Sequence, residues 1–138
     1  MADELGTITY LTAEPFQQAV RSLRRTLAAR DLQIIGEFNI SGRIRQKLLI
    51  DTSPCVVLYV WPSARLSETL GADPCAAALA PLHVVVSGRG AQSEIHVLRI
   101  LPNDGSLLDR RAMAAVNQIQ AEILQAIEKI GMRVTLSA

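Results

Sequence analysis

The chain reads as an α+β domain: one antiparallel sheet with helices packed on one face. Three observations lead there. First, three runs alternate. Val56, Leu58 and Val60 oppose Cys55, Tyr59 and Trp61; Leu82, Val84 and Val86 oppose His83 and Ser87; Ile95 and Val97 oppose Glu94 and His96. Such alternation puts one sheet face on the core and leaves the other free. Second, two of these runs flank Gly88-Arg-Gly-Ala, a hairpin signal. Third, Leu108, Ala112, Val116, Ile119, Ile123, Ile127 and Ile130 recur every three or four residues, the stripe of one long helix. Hairpin-linked strands with helices on one side indicate an α+β layer rather than a doubly wound sheet.

In order, residues 6–12 (GTITYLT) are β-rich and form the first strand. Thr12 is placed to cap the next helix, and Pro15 suits its first turn. Phe16, Ala19, Val20, Leu23 and Leu27 then recur at helical spacing, with Arg21, Arg24 and Arg25 largely off the stripe on a solvated face. Leu32 to Ile40 is the second strand, with Leu32, Ile34, Phe38 and Ile40 on one face. Gly36 marks a bulge or a close backbone approach.

A short helix follows from Ser41, capped by Asn39 or Ser41, with Ile44, Leu48 and Leu49 inward. Residues 55–61 are the third strand, ended by Pro62. Residues 63–70 form a second short helix and 73–80 a packed helical turn. Residues 82–87 and 93–101 are the hairpin, closed by Pro102-Asn-Asp-Gly. The last helix runs from about Leu107 to Ile130, with Asp109 at its start favourable to the dipole and Gly131 as C-cap. Met132 to Leu136 is a short strand or a tail. The order is β-α-β-(α)-β-(α)-β-β-α, in one domain of 138 residues.

Composition narrows the function. At 49% hydrophobic residues the chain folds, and at 4% aromatic residues its core is aliphatic. A net charge of +1 gives no global argument for nucleic acid or an anionic membrane. Seven of the 14 basic residues nevertheless fall between Arg21 and Lys47, opposed there only by Asp31 and Glu37. No apolar run approaches the ~20 residues of a membrane span. The start, Met-Ala-Asp-Glu-Leu-Gly, lacks a signal-peptide core. Cys55 and Cys75 have no CxxC or ligand spacing. A cytoplasmic protein without cofactor is expected.

The motif order resembles a known family, domain-of-unknown-function family 302. The resemblance rests on the helix Phe16–Leu27, on LQIIGEFNI, on VVLYVWPSARLSETL, on LAPLHVVV and on IHVLRILP. It spans about residues 7–130. It implies a compact α+β domain similar to the TATA-binding-protein-like folds, and a homodimer. It implies no activity; some members occur in bacteria with sulfur metabolism. Many members carry a cysteine shortly before the proline matching Pro62, and another just after that matching Pro81. Here Val60-Trp61 and Leu82 stand in those places, so no thiol role transfers.

No catalytic motif is present, and the free face is the candidate surface. If the hairpin pivots between Arg89 and Gly90, His83 faces His96 directly, with Cβ atoms roughly 5 Å apart. That pair is the only metal candidate, and two ligands are too few for a structural zinc site. Tyr59 and Trp61 share the face; they suit a subunit contact or a small ligand better than base stacking. Asn39, Arg43 and Lys47 form a second candidate, for a small anion at a capped helix start. The leading expectation is a non-enzymatic homodimer that uses the free face for a partner subunit or a small ligand. The alternatives are a thiol enzyme or sulfur carrier built on Cys55, and a metal-handling protein built on His83 and His96.

Overall fold

The alternation written into the strands is realised in a six-stranded antiparallel sheet of order β2-β3-β4-β5-β1-β6. The computed structural model describes residues 6–62, 82–99 and 110–134. The elements are β1 (Thr7–Thr12), α1 (Phe16–Ala28), β2 (Gln33–Asn39), α2 (Ile40–Leu48), β3 (Cys55–Trp61), β4 (Leu82–Arg89), β5 (Gln92–Leu98), α3 (Arg110–Glu128) and β6 (Met132–Arg133). The helix and turn expected at 63–80 lie outside the described residues. So do Cys75, the 102–105 turn, Leu107 to Asp109 and the tail beyond Val134.

One face of the sheet carries Ile8, Tyr10, Val56, Leu58, Val60, Val84, Val86, Ile95 and Val97, all buried. Against it lie Ala19, Leu23 and Leu27 of α1 and Val116, Ile119, Ile123 and Ile127 of α3. The described residues of the expected stripes on both long helices therefore form the core or pack against it. Tyr10 is fully buried, and its hydroxyl donates to Glu128 Oε2 at 3.2 Å. Burial, with the Glu128 carboxylate beside it, raises this phenol above the usual tyrosine range. On the outer side of α1, Arg24 pairs with Glu37 of β2.

Four local expectations are corrected. The register of β2 shifts between Ile34 and Gly36. An extra residue in one strand reverses the facing of everything beyond it. Leu32 and Ile34 thus point to the core, whereas Phe38 pairs with Val57 and is exposed. Ile40 begins α2 instead of ending β2. Second, Thr12 stays in β1 and its Oγ1 accepts from the Glu14 N–H, while α1 starts after Pro15 without a side-chain cap.

Third, α2 buries none of its residues, and Leu48, Leu49 and Ile50 are exposed. Leu49 adopts the left-handed conformation as its C-cap. Fourth, Gly131 is not a left-handed cap: its N–H continues the helical ladder to Ile127 O at 3.0 Å. Glycine is needed there because a Cβ would sit 2.9 Å from the Leu11 carbonyl oxygen. Gly131→Ala is expected to cost roughly 1–3 kcal/mol, the range for overpacking against atoms that cannot yield. A thermal melt indistinguishable from the parent's would contradict that close approach.

The hairpin also differs. Arg89 pairs with Gln92, so the loop is Gly90-Ala91. Gly90 takes φ +65°, the first loop position of a type II′ turn, which glycine adopts without strain. The expected pivot between Arg89 and Gly90 is thus one residue early. The cross-strand register moves by two, so both faces keep their residues but every pair changes partner.

Candidate functional site

The sheet face opposite the helices is read from the register. One row across it runs Thr9, His96, Val85, Val57 and Phe38. On one side of that row lie Leu11, Glu94, Ser87 and Cys55. On the other lie Thr7 opposite Leu98, and His83 opposite Tyr59 opposite Gly36. Trp61 closes β3 beside Gln33, and Met132 of β6 lies beside Leu11.

This surface is apolar for a free one. Met132 is 77% exposed, Leu98 54% and Phe38 44%, and Val57, Val85, Tyr59 and Trp61 are half-buried. Three of the chain's five aromatic residues lie here, not in the core. Sequence reading named Tyr59 and Trp61 but passed over Val57, Val85, Leu11 and Leu98. Strand parity alone places these four. For Phe38 only the bulge at Gly36 could have served as a signal.

The expected direct His83–His96 pair is corrected by the register. His96 stands opposite Val85, and His83 is two residues from Val85, so the imidazoles are diagonal neighbours. Diagonal neighbours lie about 7–8 Å apart, against roughly 5 Å for a direct pair. The two rings also have different partners. His83 meets the Tyr59 ring edge-on, centroids 6.3 Å apart. His96 Nδ1 lies 3.0 Å from Thr9 Oγ1. Its Nε2 lies 3.5 Å from Ser87 Oγ and 3.8 Å from Glu94 Oε1. Glu94 in turn accepts from Arg89 Nη1 at 3.1 Å.

A serine, a histidine and a carboxylate thus meet, but not as a relay. In a nucleophilic triad the hydroxyl and the acid engage opposite ring nitrogens. Here both lie at Nε2, and Nδ1 is given to a threonine. Among the described residues no three of His, Cys, Asp and Glu are grouped to hold a metal ion.

Cys55 shares this face, opposite Ser87. Its N–H donates to Ser41 Oγ at 3.1 Å. Burial raises its thiol above the ordinary cysteine range, so at neutral pH it is protonated and a poor nucleophile. Iodoacetamide should modify Cys55 more slowly than free cysteine at pH 7, and the rate should climb as pH is raised toward the thiol's pKa. Fast alkylation at neutral pH would instead mark an activated thiolate and favour the enzymatic alternative.

The anion candidate lies at the start of α2, away from the histidines in chain and register. Asn39 caps the helix: its Oδ1 accepts from the Gly42 N–H at 3.0 Å and from Ser41 Oγ at 2.9 Å. One of the first-turn donors that an anion would use is therefore already satisfied. Arg43 and Lys47 are exposed, one helical turn apart, and Arg45 pairs with Asp51 at 3.0 Å. No described helix is long and apolar enough to cross a membrane.

A family model described as "Domain of unknown function DUF302" matches residues 8–130. The fold is similar to the crystal structure of an uncharacterized conserved protein DUF302 from Bacillus stearothermophilus, with a TM-score of 0.79 at 14% identity. That match covers 91% of this chain and 98% of the other. No curated protein matches.

Proposed function

The chain belongs to the DUF302 family, and from that premise we propose that it is a non-enzymatic homodimeric accessory domain whose free sheet face is the subunit interface. The observation that carries this reading is where the aromatics go. An aromatic-poor protein places Phe38, Tyr59 and Trp61 on its open face and only Tyr10 among its fully buried side chains. Interface cores are enriched in aromatic residues and depleted of charge. Among the described face positions the one carboxylate is Glu94, and it is held by Arg89.

Size supports a second copy as the occupant. Strands about 4.8 Å apart and about six residues long, at roughly 3.3 Å per residue, give the face a flat area of roughly 500 Å2. Side-chain relief brings this toward the ~800 Å2 per partner of a standard interface. A twofold axis through such a face buries the same apolar patch from both sides. A flat face also suits a subunit better than a small molecule, which needs concavity; the concavities described lie around α1 and the end of α3.

Sedimentation equilibrium tests the reading. The expected mass is twice the 15.0 kDa of one chain. A single-chain mass persisting at high micromolar concentration would refute it.

A further inference from the structure

The layer that covers the sheet contains a cavity that the proposed interface does not use. The second half of α1 and the end of α3 run side by side, joined by Arg30 Nη2, which donates to Gln125 Oε1. Between them is a cavity of about 420 Å3, within the ~300–1,000 Å3 of small-molecule sites. Its lining is mainly apolar, with Ala29 and Ile130 beside Arg25, Arg30 and Lys129, and Ser22 and Thr26 complete it.

Three cations therefore line one small, carbon-walled space. Among the described residues none of the three has a carboxylate within 4.0 Å. The nearby carboxylates are hydrogen-bonded to hydroxyls and ion-paired with none of the three. Glu14 accepts from Ser22 Oγ at 2.7 Å, and Glu128 accepts from Tyr10. Arg25 Nη2 donates to Ser22 Oγ at 3.3 Å, which fixes one edge of its guanidinium and leaves other donors unused.

Helix C-termini do attract cations. That attraction explains positive charge at these two ends, but not the apolar lining between them.

We propose that this cavity binds a small organic anion with an apolar body, its carboxylate held by Arg25, Arg30 and Lys129 and its hydrocarbon lying on Ala29 and Ile130. Charge alone would attract any anion, and apolar walls alone would hold any hydrocarbon. The combination selects molecules that carry both.

Titration calorimetry with octanoate, acetate and inorganic phosphate tests this on the full chain. Octanoate should bind saturably, with acetate and phosphate far weaker. Arg25→Gln and Lys129→Gln, both at surface-reaching side chains, should each weaken octanoate about tenfold, the scale of one lost charge-assisted contact. Arg21→Gln, on α1 but not at this cavity, should change nothing, and thermal melts would verify that each variant is folded. No saturable binding of octanoate at millimolar concentration would overturn the proposal. So would affinity unchanged in both variants, or phosphate or acetate binding as tightly as octanoate. None of these outcomes bears on the subunit interface, which is read from mass alone.

Discussion

Val85→Glu is expected to leave a folded single chain of 15.0 kDa where the parent sediments as a dimer. Val85 occupies the middle of the row Thr9–His96–Val85–Val57–Phe38, on an interior strand. In the proposed dimer a carboxylate there would be stripped of water, and the arginine of this face, Arg89, is already paired with Glu94. The effective cost of burying an unpaired ion is several kcal/mol. Even roughly 3 kcal/mol raises the dissociation constant more than a hundredfold. The fold itself should notice little, because the side chain faces away from the helices and from the buried set.

Two measurements separate these effects. Sedimentation equilibrium reads the mass, and a thermal melt at fixed protein concentration reads the fold, since the apparent stability of a dimer depends on concentration. A dimer that survives Val85→Glu would move the interface elsewhere. The next surface to examine would then be the tip at Leu48, Leu49 and Ile50, where Leu49 is 88% exposed.

Leu58→Ala should give the opposite signature. Leu58 is one residue along from Val57 on β3, fully buried, and part of the core cluster that the stripes of α1 and α3 complete. Removing a buried leucine side chain costs about 2–5 kcal/mol, the lost transfer energy plus the cavity left behind. That is a large fraction of the ~5–15 kcal/mol that holds an ordinary domain together. Denaturant unfolding of Leu58→Ala should show a much lower midpoint with an unchanged slope. Val57→Ala should weaken the dimer and leave monomer unfolding nearly unaltered. Equal effects at 57 and 58 would mean that the two faces of β3 are not distinct environments.

Much of this architecture was legible in the residues. The alternation at 55–61, 82–87 and 93–97 named the buried valines and isoleucines. The stripe through Val116, Ile119, Ile123 and Ile127 named the face that α3 buries. Asn39 was readable as a cap because a short side-chain oxygen before a helix accepts a first-turn N–H. The site was less legible. Gly36 signalled a bulge, but a bulge's side and direction depend on the partner strand, so Phe38 was assigned to the wrong face. The hairpin turn was misplaced by one residue because Gly90 suits either position of a two-residue loop, and the turn seats it first. That small error separated His83 from His96. Leu49 was expected inward from its hydrophobicity, and its place at the end of an unburied helix sets it outward.

Local periodicity was enough to identify an α+β domain, its two sheet faces and the residues of its core. Burial on one side imprints a period of two on a strand and of 3.6 on a helix, and both survive in the linear order of residues. Strand order, register and the neighbours of each polar side chain were not readable this way. His96 meets Thr9 across 87 residues of chain, and the cationic cavity joins Arg25 and Arg30 to Lys129 from the other end of the sequence. Such meetings are set by how hairpins and helices close on one another, and no local pattern encodes them.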